Sequence, residues 1–138
     1  MKRIEVVAAV IESRGRVLCV RRGPSPRLYI SGKWEFPGGK VEPGEEQAAA
    51  LAREIEEELR VEVRILDHLM TVEHVYPDFE IRMHAWRCSM VEPESEIQFT
   101  EHVDSRWAEP GSQGFADLDW AAADVPIVGL LRERAGGC

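Results

Sequence analysis

The apolar positions come in two kinds of run. Ile4 to Ile11 is largely apolar and β-branched, and Val17-Leu18-Cys19-Val20 repeats that character beyond Glu12-Ser13-Arg14-Gly15-Arg16, a stretch of turn composition. Two such runs about a turn predict a β-hairpin. Gly23 to Gly32, with two prolines, two serines and two glycines, predicts a surface loop. Trp34-Glu35-Phe36 reads as a short extended piece stopped by Pro37-Gly38-Gly39. The clearest helix spans Glu45 to Arg60, where Ala48, Leu51, Ala52, Ile55 and Leu59 recur at three- and four-residue spacing as one apolar stripe. Val61 to Val75 and Phe79 to Val91 predict two long strands joined at Tyr76-Pro77-Asp78. In the second, Ile81, Met83 and Ala85 alternate with Arg82, His84 and Trp86, a half-buried pattern. Glu92 to Ser95 reads as a loop, Val103 to Trp107 as a short strand and Pro126 to Arg134 as a helix. No repeat, low-complexity tract or interdomain linker interrupts them. Many strands with two helices outside them predict a mixed sheet in an α/β layered domain.

Composition narrows the classes. The 138 residues suit about one domain, and 44% hydrophobic with 30% charged residues excludes disorder by composition. No apolar run approaches the ~20 residues of a membrane span, and Met1-Lys2-Arg3-Ile4-Glu5 lacks the apolar stretch of a signal peptide, so no membrane partner and a cytoplasmic address are expected. A net charge of −8 repels a nucleic-acid backbone, so no nucleic-acid polymer is expected as partner. The three cysteines, Cys19, Cys88 and Cys138, are too scattered for a zinc site or a disulfide framework, and Cys19 and Cys88 fall inside strand runs as small buried hydrophobes. His68, His74, His84 and His102 form no ligand pair and read as structural or surface residues. Monomer and homodimer both remain open.

The candidate chemistry lies in the first helix. Glu54-Ile55-Glu56-Glu57-Glu58 holds four glutamates, and Glu54, Glu57 and Glu58, at i, i+3 and i+4, project from a face other than the apolar stripe. Such a run is either a solvated acidic face, softened by Arg53 and Arg60, or a site for a hard divalent cation that takes carboxylate oxygens. The loop before it favours the second reading. Gly38-Gly39 permits close backbone approach and Lys40 supplies a point charge suited to phosphate.

Gly39, five residues, Glu45, seven residues and Arg53-Glu54-Ile55-Glu56-Glu57-Glu58-Leu59-Arg60-Val61 resemble the box of the Nudix hydrolase family. The flank Trp34-Glu35-Phe36-Pro37-Gly38-Gly39-Lys40-Val41-Glu42 resembles the MutT-like nucleoside triphosphate pyrophosphohydrolase branch. The resemblance implies the Nudix fold, a mixed β-sheet sandwiched between helices (α/β/α), over residues 1–138 as a single domain. One position departs. The family usually has glycine where this chain has Arg60, so either arginine adopts a left-handed C-cap at a cost of about 1–2 kcal/mol or the helix ends differently.

The resemblance also implies site roles. Glu54, Glu57 and Glu58 are expected to hold Mg²⁺ (or Mn²⁺), with the Gly38 carbonyl as a further ligand. Arg53 is expected to orient a glutamate, Glu45 to hold the loop on the helix, and Gly39 to serve the motif's structure. Arg22 and Lys40 are expected at phosphate, with Glu35 and Phe79 among the substrate-binding residues, and Trp34 as another aromatic that a base could stack on. Glu101 resembles a further carboxylate near the metals and rivals Glu54 and Glu58 as general base. Asp124 reads as the N-cap of the last helix or, by resemblance, as the residue that meets the base edge. Ionised, it only accepts and favours an exocyclic amine, as on cytosine or adenine; protonated, it suits an oxidised guanine. The implied reaction is Mg²⁺-dependent hydrolysis of CTP-like or modified nucleoside triphosphates to monophosphate and pyrophosphate, as nucleotide-pool sanitation. The alternatives are an 8-oxo-dGTP diphosphatase proper, a hydrolase of ADP-ribose or a dinucleoside polyphosphate, and a non-catalytic nucleotide-sensing module.

Overall fold

A computed structural model describes residues 1–136, so Cys138 lies outside the described residues. The strands are β1 (Arg3–Ser13), β2 (Arg16–Arg22), β3 (Trp34–Glu35), β4 (Gly38–Lys40), β5 (Val63–Val75), β6 (Glu80–Met90) and β7 (His102–Ala108). The helices are α1 (Gln47–Leu59), α2 (Gln113–Ala116) and α3 (Val125–Gly136), the last preceded by a 3₁₀ turn at Ala122–Asp124. The sheet runs β3-β2-β1-β6-β5, with β4 on β1 and β7 on β2. The β1–β6 pair is parallel and the others are antiparallel, so the expected mixed sheet is present. Among the described residues no helix is long and apolar enough to cross a membrane.

The unbroken apolar run of β1 follows from burial on both faces. Val7, Ala9 and Ile11 pack with Leu18, Val20 and the α1 residues Leu51, Ile55 and Leu59. Ala8 and Val10 face the opposite way, with Val17, Cys19, Met83, Ala85, Phe115 and the α3 residues Ile127 and Leu131. The alternation in β6 is therefore not half-buried. Its second face, with Trp86 and Cys88, lies under the α1 layer, while Ile81, Met83 and Ala85 join the α3 layer. Helices cover both sides of the sheet, the α/β/α arrangement.

Three local expectations change. The helix begins at Gln47, two residues later than expected, and its buried residues are Ala50, Leu51, Ile55, Glu58 and Leu59. Ala48 and Ala52 are exposed, so the apolar stripe is rotated toward Glu58. Gly38–Lys40 does not end the preceding strand in a turn. It is a strand paired with Val6, Val7 and Ala8 of β1. A β-carbon on Gly38 would land on the Val7 carbonyl oxygen, so close approach to β1 requires the glycine.

Arg60 does adopt the left-handed conformation, φ 57° and ψ 37°, and its N–H donates to the Glu56 carbonyl at 3.0 Å. The helix thus closes in the usual αL manner on a residue that pays steric cost for it. Arg60→Gly is expected to stabilise the protein by about 1 kcal/mol, read in a thermal melt as a rise of about 3–5 °C.

Candidate active site

Two cavities meet at β3 and β4. One is acidic, lined by Glu35, Glu42, Glu54, Glu58 and Glu101 together with Arg22, Lys40 and His102. The other, about 350 Å³, is mainly apolar, with Ile4, Val6, Phe36, Tyr76, Phe79 and Met83 on its walls and Asp124 in its lining. Arg22, Glu35, Gly38, Gly39 and Lys40 line both. A pocket of this size suits a small organic ring, and an adjoining cleft with cations and carboxylates suits its charged tail.

The acidic cleft is built from α1 outward. Arg53 donates from Nε and Nη2 to Glu45 at 2.9 Å each, from Nη1 to Glu54 Oε1 at 3.0 Å, and from Nη2 to the Lys40 carbonyl at 3.0 Å. Its Nη1 also lies 3.5 Å from Glu57 Oε2. One guanidinium thus fastens the β4 strand and the following loop to the helix and orients Glu54, which only a planar fork can do. The hydrogen bonds from Arg53, supported by the Glu42 N–H, hold Glu45 down to about 2. Gly39 completes the fit: a β-carbon there would lie inside the Glu54 carboxylate.

Glu58 is 5% exposed, which sets aside the solvated-face alternative for this glutamate. Burial, with the charges of Glu101, Glu54 and Glu35 around it, pushes it up to about 9, while Arg22 acts the other way. Burial also raises Glu54; Arg53 opposes that shift, and Glu57 and Glu101 add to it. Glu58 Oε2 is buried with no hydrogen-bond partner among the described residues. Glu57 stays more exposed, 58% at its side chain. Among the described residues no three such side chains converge into a ready-made metal cage. Glu54, Glu58 and Glu101 instead line one cleft, a donor set of hard oxygens whose mutual repulsion and orphaned Oε2 a divalent cation would relieve, while Glu57, expected as a third helix ligand, lies outside that lining. The residues present fit such an ion.

The C-terminal end of α1 delivers Glu101. Thr100 donates from its N–H and hydroxyl to the Glu58 carbonyl at 3.0 and 3.2 Å, and Gln98 N–H donates to the Leu59 carbonyl at 2.9 Å. These bonds satisfy carbonyls that a helix end leaves open and hold the 98–101 loop against the cleft. His102 follows, its side chain 3% exposed between Glu35 and Glu58, so it belongs to the site rather than to the surface or a distant structural position. Nothing in its sequence spacing marks it; only the β7 register brings it there.

In the apolar cavity, Phe79 lines the wall beneath the Arg27 guanidinium, 5.0 Å from ring centroid. Tyr29 stacks on Tyr76 at 5.0 Å, and Asp78 is bound by both Arg27 and the Tyr29 hydroxyl, so the 23–32 loop is strapped to the β5–β6 turn. Trp34 does not line the cavity as the sequence suggested; it packs in the core with Arg106 over its ring. Asp124 also differs from the N-cap reading. Its Oδ1 accepts the N–H of Phe36 at 3.0 Å, across the chain rather than along it. It is 5% exposed, and burial with the nearby Glu35 raises it well above the usual carboxylate range, partly offset by the Phe36 N–H and Arg22. Glu35 pairs with Arg22 at 3.3 Å on the wall between the cavities. Of the residues singled out in the sequence, Glu54, Glu58, Glu101, Arg22, Glu35, Gly38, Gly39 and Lys40 come together at the cleft. Phe79 and Asp124 come together in the apolar cavity, and Arg53 and Glu45 brace the loop.

A family profile described as NUDIX domain matches residues 6–129. The CTP pyrophosphohydrolase of Escherichia coli (strain K12) is 36% identical over 128 residues, covering 93% of this chain and 90% of that protein. The 8-oxo-dGTP diphosphatase of the same organism is 28% identical over 133 residues, covering 96% of this chain and 98% of that protein. Among solved structures, that of the E. coli ORF135 protein superposes with a TM-score of 0.80 at 35% identity, covering 99% of this chain and 94% of that one.

Proposed function

The chain belongs to the Nudix family, and on that premise we propose that it hydrolyses nucleoside triphosphates, CTP-like or base-modified, to the monophosphate and pyrophosphate. The observation that carries this is the shared wall. One apolar cavity sized for a base opens through Arg22, Glu35 and Lys40 onto one carboxylate cleft suited to a cation and phosphates.

In this reading Glu54, Glu57 and Glu58 would hold Mg²⁺ or Mn²⁺, with the Gly38 carbonyl as a further oxygen. When bound, the ion supplies Lewis acidity that offsets phosphate charge and makes water a better nucleophile. Without it, a chain of charge −8 repels a polyphosphate. Lys40 and Arg22 contact the phosphates from the wall. Arg53 keeps Glu54 aimed through the 3.0 Å bond, and Glu45 keeps Arg53 in place. Glu101 stands at the cleft as a candidate base.

Asp124 governs the base end. Since Phe36 N–H occupies Oδ1 and the carboxyl is raised well above its usual range, a retained proton leaves Oδ2 as a donor. That favours a base presenting a carbonyl there and gives an oxidised guanine nucleotide specific support as the second reading; the first rests on the likeness to a CTP pyrophosphohydrolase.

Pyrophosphate release with Mg²⁺ across CTP, dCTP, 5-methyl-dCTP, 8-oxo-dGTP and dATP tests both. Asp124→Leu, which removes the hydrogen-bonding group, is expected to change kcat/KM for the preferred base relative to the others by roughly tenfold, about 1.4 kcal/mol. Asp124→Asn, which accepts from Phe36 N–H and donates as the protonated carboxyl does, keeps the ranking if Asp124 is protonated and shifts it if Asp124 is ionised. An unchanged ranking in Asp124→Leu would remove Asp124 from base recognition, and no pyrophosphate with any of the five would remove the triphosphatase reading.

A further inference from the structure

The role proposed for the cleft leaves one buried polar side chain without a task. In β7, His102 lies opposite Arg22, because the β2–β7 register shifts between Arg21, opposite Asp104, and Arg22, opposite His102. A bulge of this kind re-aims side chains beside a site. It sends Arg22 to one oxygen of Glu35, Oε1 at 3.3 Å, and His102 Nε2 to the other, Oε2 at 3.4 Å. The same Nε2 lies 3.8 Å from Glu58 Oε1. Among the described residues no other basic side chain lies in ion-pair range of Glu58, and its Oε2 has no hydrogen-bond partner.

We propose that His102 is a positioning residue whose Nε2, 3.4 Å from Glu35 and 3.8 Å from Glu58, keeps the metal-side carboxylate in place beside the nucleoside-side one. The ring's other nitrogen supports this assignment. Nδ1 is buried with no hydrogen-bond partner among the described residues. An unpaired buried N–H there would waste a strong donor, so the proton belongs on Nε2, where two carboxylates face it. Partners of this kind fix the orientation of a ligating group, and their loss typically lowers metal affinity by about 10–100-fold. His102 touches no substrate in this scheme; it acts through Glu58. The inference rests on the metal reading of the cleft.

The test is a titration of the full chain with Mn²⁺ alone, following the free-ion signal by electron paramagnetic resonance. A glutamine amide nitrogen falls near Nε2 of the histidine it replaces, whereas an asparagine amide falls near Nδ1. His102→Gln is therefore expected to bind Mn²⁺ within about threefold of the wild type, while His102→Asn and His102→Leu weaken binding by about tenfold or more. Melts in EDTA report folding; if His102→Leu does not fold, the glutamine–asparagine contrast carries the result. Equal affinity in all variants, or equal weakening by glutamine and asparagine, overturns the role of His102 alone. A folded wild type that takes up no Mn²⁺ overturns the metal reading and this inference with it.

Discussion

If Glu58 holds the metal as proposed, Glu58→Gln is expected to lower pyrophosphate release by roughly 10³-fold in kcat, because losing that ligand removes several kcal/mol of transition-state stabilisation. The same substitution is expected to make the metal-free protein more stable. Glu58 is pushed up to about 9 by burial and by Glu101, Glu54 and Glu35. A carboxyl that binds its proton more tightly folded than unfolded favours the native state at low pH. That contribution is fully present below the unfolded value, about 4.5, and is lost as pH rises through about 9. Glutamine, neutral throughout, escapes the loss. Melts in EDTA at pH 8 should therefore show the variant above the wild type, with the gap closing toward pH 5. Added Mg²⁺ should raise the wild type and leave the variant nearly unmoved. A variant that keeps its activity, or that melts below the wild type in EDTA at pH 8, contradicts this account of the cleft.

Gly39→Ala should produce the second largest loss, without replacing any titratable residue. Its new methyl would occupy the space of the Glu54 carboxylate, which must then swing away from Arg53 Nη1. Displacements of about 1 Å in a reacting geometry cost roughly 10²-fold. A fall of that order in kcat/KM is expected, with weaker Mn²⁺ binding and a melting temperature within a few degrees of the wild type. Gly38→Ala offers the contrast. Its methyl meets the Val7 carbonyl and the Ala8 Cα, backbone atoms that cannot yield, so that variant should lose stability first. Kinetics and melts on the pair together separate site geometry from strand packing. Similar losses of stability in both would contradict the distinction.

The glutamates of α1 were legible because i, i+3 and i+4 spacing is a local property of a helix. Their burial was not. Alanine fits either side of a wheel, and with Ala48 and Ala52 assigned inward the stripe turned away from Glu58; in the fold Ala50 takes that place and both other alanines face solvent. Only the position of the sheet decides between those rotations. The strands were readable for the same local reason as the helix, except β4, whose glycines suggest a turn until β1 is there to pair with them. The apolar cavity draws on β1, the 23–32 loop, the β5–β6 turn and the 3₁₀ turn, segments whose meeting no short-range pattern encodes. Asp124 illustrates it: a residue that looks like a cap locally bonds instead to Phe36. His102 depended on a single register shift, which leaves no trace in composition.

The partition into two chambers has a kinetic corollary. Cleavage alters only the phosphate end, so whatever grips the nucleoside grips reactant and product alike. Such uniform attraction deepens KM without accelerating the chemical step. The departing nucleotide should accordingly behave as a competitive inhibitor, and the order of inhibition among different monophosphates should mirror the order of preference among their triphosphates. Turnover would then be governed by how fast the spent nucleotide lets go, a release that the Arg27–Asp78 pair in the lining of the apolar cavity can slow.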